Sequence, residues 1–308
     1  MRRPRIGDYL VYLLVRILIA IVQAIRLETG QLLARRMARL FADVLKIRGG
    51  VVDDNLRHAL PELSPADRRQ LARQMWEHLF LLVLEVAHAP RKIHETNWRQ
   101  FVKLRGEDDL VRLMISDRPT IVVSGHFGNF EAGGYLLGVL GFPTFTVARK
   151  LDNPYLDQFV NRFRKATGQV IIPKKGGYDQ ILDVLENRGT MMFLADQYAG
   201  EKACWVEFFH RPASVYKAIA LLSLHHDAPL AVSYCRRLDR PMHFEMNCFA
   251  VADPRTAGSQ IGSIRELTQW FTSQLEQAVR RAPEQYWWVH RRWKDPRPEK
   301  RKRQKQAA

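Results

Sequence analysis

Two hydrophobic periodicities divide the chain, and the change between them falls close to Asn97. Before this point apolar side chains recur every three to four positions, which is the spacing of an amphipathic helix. One such stripe follows Ser64 and Pro65, a pair typical of a helix start, and predicts a helix that runs to about Val86. An earlier stripe over residues 32–44 predicts another helix. We therefore expect a helical N-terminal segment.

Beyond Asn97 short apolar runs alternate with stretches of helical spacing. The runs have the length of buried strands and lie at 120–123, 145–147, 170–172, 190–195 and 229–233. The helical patterns lie at 154–167, 177–188, 215–226 and 262–281. This alternation predicts an α/β fold with a mostly parallel sheet flanked by helices.

The N-terminus carries three arginines among its first five residues, and an almost wholly apolar run over residues 9–25 follows, interrupted by Arg16. As a helix this run is about 25 Å long, slightly shorter than a hydrocarbon core of about 30 Å. An arginine near the middle of a bilayer costs about 2.5–3.5 kcal/mol on insertion scales. We predict a membrane-associated helix within residues 1–28, which either spans the membrane or lies in its interface.

Charge and cysteine content narrow the classes of partner and compartment. The net charge of +16 over 308 residues favours an anionic partner, either nucleic acid, acidic lipid or an acidic protein. Three cysteines without a CxxC pair argue against a disulfide framework and favour a reducing compartment. The predicted segments are the membrane helix at 1–28, a helical part at 29–98, an α/β domain at 99–294 and a basic tail at 295–308.

A turn containing glycines follows the first of the five predicted strands and carries His126 and Glu131 in an H-x4-E pair. The carboxyl ends of strands are where α/β sheets hold their ligands. On one continuous helix the two side chains would lie about 140° apart, so they meet only where a strand turns into a helix. A carboxylate that accepts from one imidazole nitrogen leaves the other free to deprotonate a hydroxyl. We therefore expect Glu131 to orient His126 as a general base.

Three other residues are candidates for a role in the chemistry: His290, Asp196 and Ser124. A second spacing of the same kind, His290 to Asp295, follows no apolar strand and is interpreted as a chance occurrence. Asp196 follows another predicted strand and either positions substrate, supports an arginine or caps the strand end. Ser124 lies outside a G-x-S-x-G elbow, so the pair favours direct transfer to an acceptor hydroxyl over a covalent enzyme intermediate.

Several motifs together resemble the bacterial lipid A biosynthesis acyltransferase family of lauroyl and myristoyl transferases. They occur in the family's order from about residue 8 to residue 298. Besides residues 126–131 they are VDDNL at 52–56, LPE at 60–62, Arg149 with Asn153-Pro154, Asp196-Gln197, Phe208-Phe209 and PEQYWWVHRRWK at 283–294. The resemblance implies an acyltransferase domain like that of glycerol-phosphate acyltransferases.

The resemblance also implies roles for individual residues. His126 would deprotonate the acceptor hydroxyl while Glu131 orients it. The expected substrate-binding residues are Arg164, Arg149, Asp196 and Asn129. Arg164 matches the family's essential arginine, and Arg149 is its rival for a phosphate or pantetheine group.

The last of the shared motifs is rich in aromatic and basic residues. We expect its tryptophans in the core or at a membrane interface: Trp287, Trp288 and Trp293. Its cations are candidate donors to a phosphorylated glycolipid or to acidic lipid headgroups: Arg291, Arg292 and Lys294.

The implied reaction moves a fatty acyl chain from the thioester of an acidic acyl carrier protein or of coenzyme A to a hydroxyl of a lipid A precursor. It would occur at the cytoplasmic face of the inner membrane, with no cofactor and no metal. Two alternatives stay open: a sibling acyltransferase for another glycolipid or aminolipid such as a phosphatidylinositol mannoside, and a non-catalytic basic membrane-binding protein. We do not expect nucleic acid as a partner, because the basic tail lacks interleaved aromatic residues.

Overall fold

The computed structural model describes residues 5–256 and 261–294. Arg2, Arg3 and the predicted basic tail at 295–308 lie outside these ranges. Four helices come first along the chain: α1 (Ile6–Ala24), α2 (Leu27–Arg39), α3 (Gly49–Ala59) and α4 (Pro65–Lys92). A π-helical turn, Leu40–Val44, extends α2. Helix α4 begins where the sequence predicts, because the Ser64 hydroxyl accepts a hydrogen bond from the Asp67 amide and Pro65 occupies the first helical position.

A seven-stranded sheet forms the centre of the molecule and contains all five predicted strands. Its strands are β1 (Val102–Arg105), β2 (Thr120–Ser124), β3 (Thr144–Ala148), β4 (Gln169–Pro173), β5 (Thr190–Leu194), β8 (Leu230–Arg237) and β9 (Phe244–Ala252). Their spatial order is β1-β9-β8-β2-β5-β3-β4. Every neighbouring pair is parallel except β8 and β9, which are antiparallel. The mostly parallel α/β fold is therefore confirmed.

A separate two-stranded hairpin pairs β6 (Cys204–Phe208) with β7 (Arg211–Val215). The hairpin, β1 and β9 are strands that the sequence pattern does not reveal. Helices α5 to α10 connect and cover the strands: α5 (Glu107–Met114), α6 (Phe130–Val139), α7 (Pro154–Lys165), α8 (Tyr178–Glu186), α9 (Ala218–His225) and α10 (Ile264–Arg281). A 3₁₀ turn, Pro283–Gln285, follows α10.

Both faces of the sheet are buried, which explains why β2 reads as a continuous apolar run. Ile121 and Val123 are fully buried against α8, α9 and α10 on one face. Val122, between them, is fully buried on the opposite face against α4, α5 and α6. Because both faces of this strand are covered, the end of β2 is rigid and the turn that follows it begins at a fixed position.

Helix α1 packs its aromatic side against α7. Tyr9 and Tyr12 contact the ring of Tyr155 at centroid distances of 5.4 and 5.9 Å. Arg16, the charge that interrupts the apolar run, donates to the Tyr12 hydroxyl at 2.9 Å and lies 5.1 Å from the Phe159 ring centre. Ile6–Ala24 is, within the described ranges, the one helix long and apolar enough to cross a membrane, and none of its residues is buried.

Candidate active site

The turn between β2 and α6 has a backbone that only certain residues allow. Gly128 adopts φ +61°, and a Cβ at this position would lie 2.1 Å from the carbonyl oxygen of Cys235. The Asn129 side chain accepts a hydrogen bond from the Ala132 amide at 2.9 Å and so caps α6. The turn thus approaches β8 closely and ends in a defined helix start, which fixes the direction of His126.

The carboxylate that holds His126 is Asp196, which follows the end of β5. One oxygen of Asp196 lies 2.8 Å from Nδ1 of His126, and the other accepts from the backbone N–H of the same residue at 2.8 Å. The two residues meet because β2 and β5 are parallel neighbours in register, which brings their carboxyl ends together. Asp196 was a candidate for binding substrate or an arginine; its contacts show that it holds the imidazole.

The protonation of this pair follows from its surroundings. Burial opposes the ionisation of Asp196, but the nearby His126 and its two hydrogen bonds more than offset this, and the pKa of Asp196 is lowered from its ordinary value. An ionised carboxylate only accepts hydrogen bonds, so Nδ1 of His126 carries the proton. In the neutral form of this imidazole the lone pair is therefore on Nε2.

The nitrogen that carries the lone pair faces an amide. Gln197, next to Asp196, lies with its side-chain nitrogen 3.2 Å from Nε2 of His126. That amide N–H donates to the lone pair and occupies the direction from which an acceptor hydroxyl would approach. A substrate hydroxyl that replaced this donor would be in position to lose its proton to Nε2.

Aromatic rings enclose the imidazole. The rings of Trp287 and Phe130 lie 4.8 and 4.9 Å from the His126 ring. The chain after α10 also pairs with the turn, since the Trp287 amide donates to the His126 carbonyl at 3.0 Å. Trp288 is fully buried, as expected of a core residue, whereas Trp287 forms a wall of the site. Nothing in the spacing of residues along the chain predicts that Trp287 contacts His126; the shared motif at 283–294 is the signal that points to Trp287.

Glu131 makes a different contact from the one that we expected. Its two oxygens accept from Nη2 and Nε of Arg164 at 2.5 and 3.1 Å, a bidentate ion pair between α6 and α7. The hydrogen bond to His126 that the sequence assigned to Glu131 is made by Asp196. Arg164 is about one-fifth exposed, so it keeps access to solvent.

Two predicted substrate-binding residues have other surroundings. Asn129 is fully buried, and besides capping α6 it donates to the Glu85 carboxylate at 2.9 Å, so it holds the turn and does not face a ligand. Arg149 follows β3, two strands away from β2, and forms an exposed ion pair with Asp152 at 2.9 Å. The structure brings neither guanidinium nor carboxylate of that pair into contact with His126.

Two residues near the C-terminus make contacts that the spacing of residues along the chain did not predict. His290, set aside as part of a chance motif, lies beside the site and accepts from the Tyr198 amide at 3.3 Å. Burial lowers the pKa of His290. Arg292 is only 3% exposed and donates to the Ser214 carbonyl at 2.7 Å, so it is not presented at the surface to lipid headgroups.

A mainly apolar cavity adjoins the site. It is a partly open cleft with a volume of about 50 Å³ between the sheet, α5 and α6. Side chains that line it include Leu110, Met114, Val122, Phe130, Leu137 and Met246. Phe130 also touches the His126 ring, and the lining continues along α6 as far as Leu140, about 15 Å away at 1.5 Å per helical residue. One end of the cavity therefore lies beside the imidazole.

The donor set is that of an acid–base site. Across residues 5–256 and 261–294, no three His, Cys, Asp or Glu side chains are grouped so as to hold a metal ion. The arrangement joins the His126 imidazole to an ionised carboxylate, with the Glu131–Arg164 ion pair at the start of α6 and an apolar cavity beside Phe130. It can remove a proton from a hydroxyl beside a bound hydrocarbon chain.

Comparison with known proteins gives a consistent similarity over nearly the whole chain. The sequence model of a family described as "Bacterial lipid A biosynthesis acyltransferase" matches residues 2–295. A lipid A biosynthesis palmitoleoyltransferase of Escherichia coli (strain K12) is 25% identical over 273 residues, covering 85% of this chain and 84% of the relative. A lipid A biosynthesis lauroyltransferase of the same organism is 23% identical over 269 residues, with the same coverage.

Among solved structures, the 1-acyl-sn-glycerophosphate acyltransferase PlsC from Thermotoga maritima is similar over 88% of this chain and 100% of that chain. The TM-score is 0.40 and the sequence identity is 14%.

Proposed function

The chain belongs to the bacterial lipid A biosynthesis acyltransferase family, and from this premise we propose that it acylates a hydroxyl of a lipid A precursor with His126 as the general base. The acceptor would be a hydroxyl on an acyl chain that the precursor already carries, which is a secondary acylation. The observation that carries the assignment of the base is the ionised Asp196 at Nδ1, because it leaves the lone pair on Nε2.

The proposed chemistry needs no covalent enzyme intermediate. Nε2 of His126 removes the proton of the acceptor hydroxyl while its oxygen attacks the thioester carbonyl carbon. Asp196 stabilises the imidazolium that forms. Collapse of the tetrahedral intermediate breaks the carbon–sulfur bond, and the proton on Nε2 passes to the departing thiolate. The products are the new ester and the free thiol, and His126 is neutral again.

The cavity along α6 supports a hydrocarbon substrate. Its lining is mainly apolar and includes Phe130, whose ring contacts His126, so the hydrocarbon carbons that enter it would lose their contact with water. With the chain in the cavity, the thioester carbonyl would lie near the imidazole, where the transfer must occur. Acyl length would then depend on how far the space between α5 and α6 extends.

Arg164 is the proposed contact for an anionic group of a substrate. Its Nε and Nη2 bind Glu131, which fixes the plane of the guanidinium. The opposite edge is then oriented to donate to a phosphate of the pantetheine arm or of the glycolipid. Arg149 is more exposed and bound to Asp152, so we propose a weaker contribution from it.

The donor and location follow from the same family premise and from charge. We propose the thioester of an acidic acyl carrier protein or of coenzyme A as donor, since the net charge of +16 attracts either. The proposed location is the cytoplasmic face of the inner membrane, with α1 in contact with the bilayer. The unburied apolar surface of α1 supports this.

Purified full-length protein in detergent tests the proposal directly. Acyl carrier protein and coenzyme A thioesters are each offered with a lipid A precursor, a phosphatidylinositol mannoside or a lysophosphatidate, and products are read by mass spectrometry. We expect one added acyl group on the lipid A precursor and no product with His126→Ala. Acylation of another acceptor alone would assign the enzyme to a sibling reaction, and equal lipid binding without any product would favour a non-catalytic protein.

A further inference from the structure

Beneath the His126 turn lies a buried cluster of charged and polar side chains that the proposed reaction does not use. Glu85 and His78 come from α4, and Arg237 is the last residue of β8. They are 0%, 3% and 8% exposed. Burying a charged pair costs free energy unless each group is fully bonded. The hydrogen-bond partners of these three residues therefore show which part of the structure the cluster holds in place.

Glu85 joins β8 to the turn. Its oxygens accept from Nε and Nη2 of Arg237 at 2.5 and 2.8 Å and from the Met242 amide at 3.2 Å. One of them also accepts from the side-chain nitrogen of Asn129 at 2.9 Å. Asn129 in turn caps α6, so the ion pair ends on the last residue of the His126 turn.

His78 makes the contact closest to the imidazole. Nη1 of Arg237 lies 3.0 Å from its Nδ1, and a guanidinium only donates, so Nδ1 of His78 carries the lone pair. The proton is then on Nε2, which lies 3.2 Å from the carbonyl oxygen of Gly128 and donates to it. Arg237 thereby fixes the tautomer of His78 that can hold Gly128.

Gly128 is held from its other side as well. Its N–H donates to the carbonyl of Gln285 at 2.9 Å. The Gln285 side chain exchanges two hydrogen bonds with the backbone of Arg237, at 2.8 and 2.9 Å. The peptide groups of Gly128 are thus bonded to α4 on one side and to the segment after α10 on the other. The two residues that bind Gly128, His78 and Gln285, are themselves both hydrogen-bonded to Arg237.

We propose that His78 is a positioning residue for the acyl transfer, which acts by fixing the Gly128 carbonyl and with it the direction of the His126 ring. Gly128 lies two residues beyond His126 and has a left-handed backbone conformation. Small displacements of a catalytic base cost about 10²-fold per ångström. The kinetic consequence of this proposal rests on the proposed function, whereas the order of the turn does not.

His78→Asn is the most selective variant. The shorter amide keeps an acceptor near the position of Nδ1, so Arg237 stays bonded, but it does not reach Gly128. His78→Gln keeps a donor at the position of Nε2 and is the conservative rescue. His88→Asn is the matched control, because His88 is also buried on α4 and its Nε2 lies 3.0 Å from the carbonyl of Val22 on α1, away from the turn.

We expect His78→Asn to lower kcat about tenfold or more while KM for the thioester stays within about threefold. His78→Gln should recover most of kcat. His88→Asn should leave kcat within about twofold, even where it lowers Tm as much as His78→Asn does. A kcat that falls with Tm in the same proportion for both asparagine variants would overturn the proposal.

Hydrogen exchange tests the same proposal without any substrate. The amides of His126, Gly128 and Asn129 are all hydrogen-bonded, so the peptide that contains them should be protected. His78→Asn should accelerate exchange in this peptide about tenfold or more, and His88→Asn should not. Unchanged exchange in His78→Asn overturns the positioning role. Failure of the unmodified protein to transfer an acyl group would instead overturn the proposed function and leave the exchange result to decide the role of His78.

Discussion

His126 is flanked by two carboxylates that the sequence does not distinguish by chemistry. Both Asp196 and Glu131 follow strands or begin helices at the same edge of the sheet. The structure separates them by partner: Asp196 binds the imidazole and Glu131 binds Arg164. The orienting acid is thus the residue 70 positions away in sequence and not the one five positions away.

Asp196→Asn tests the orienting role. An amide in place of the carboxylate can present an N–H to Nδ1, which would move the imidazole proton to Nε2 and remove the base. We expect kcat to fall by about 10²–10⁴-fold with the fold intact by circular dichroism. Asp152→Asn, in an exposed ion pair, is the control and should retain activity. A decrease of less than about threefold for Asp196→Asn would show that the imidazole does not depend on it.

The Glu131–Arg164 pair is tested by a double-mutant cycle. Glu131→Gln and Arg164→Gln should each reduce kcat/KM, because either change frees the other side chain from its bidentate contact. The kcat/KM of the double variant should be only slightly lower than that of the less active single variant, which corresponds to a coupling free energy of roughly 0.5–3 kcal/mol. Fully additive losses would mean that Glu131 acts on something other than Arg164. Arg149→Gln should cost less than Arg164→Gln in the same assay.

At the residue scale the sequence identifies His126 as a candidate base, because it follows a strand, and it also indicates the other candidate site residues. It does not show which of these side chains contact one another. The Asp196 contact depends on which strand lies beside β2, and the spacing of residues along the chain does not state that β5 is its neighbour. The same holds for Trp287, which reaches His126 only because the segment after α10 returns to the turn.

At the scale of elements, α4 carries two histidines in the interior, and these make stability depend on pH. Burial lowers the pKa of His78 well below its ordinary value, and the nearby Arg237 lowers it further. Burial lowers the pKa of His88 as well. Below about pH 6.5 these histidines bind protons in the unfolded chain but stay unprotonated in the folded helix. Stability is therefore greatest above that pH and is lost as pH falls through it.

We expect the Tm of the protein to fall between pH 7.5 and pH 5.5, with a loss of up to about 1.4 kcal/mol of unfolding free energy per pH unit from His78 and a smaller loss from His88. His78→Gln should flatten this dependence, because the amide does not titrate. His225→Gln, at an exposed position, should leave the slope as it is. A Tm that rises toward pH 5.5 in the unmodified protein would contradict the assignment of neutral buried histidines.

Elements with a strong local signal were predictable. The Ser64 cap marks the start of α4, and the buried parallel strands read as apolar runs. The β6–β7 hairpin and the edge strand β1 were not, since they are short and their burial alternates or is partial. β9 lies in a mostly parallel sheet as an antiparallel partner of β8, a pairing that the alternation of strands and helices does not predict.

At the scale of the whole molecule, the exposed apolar surface of α1 is the feature that supports the proposed membrane location. Helix α1 has no buried residue, yet its aromatic side contacts α7, the helix that carries Arg164. Attachment of α1 to a bilayer would therefore hold the active-site edge of the sheet close to the lipid substrates. The sequence predicted the apolar helix, but not the docking of Tyr9 and Tyr12 that connects it to the domain.

Removal of residues 1–25 tests this attachment. The full chain should sediment with membranes and resist extraction by 1 M salt, because apolar contacts are not screened. The shortened chain should move to the soluble fraction or become extractable by salt, according to how much the remaining basic surface contributes. Gly7→Ala, which adds a methyl group to open space, is a control that should change nothing. A full chain that stays soluble would contradict a membrane role for α1.

The central claim is that this chain adds an acyl group to a lipid A precursor through His126. Mass spectrometry of lipid A from a strain that lacks this gene, complemented with either the unmodified gene or His126→Ala, measures it most directly. We predict lipid A that is lighter by one acyl group in the deletion strain, full mass with the unmodified gene, and the lighter form with His126→Ala. Unchanged lipid A in the deletion strain, or full mass with His126→Ala, would contradict the claim.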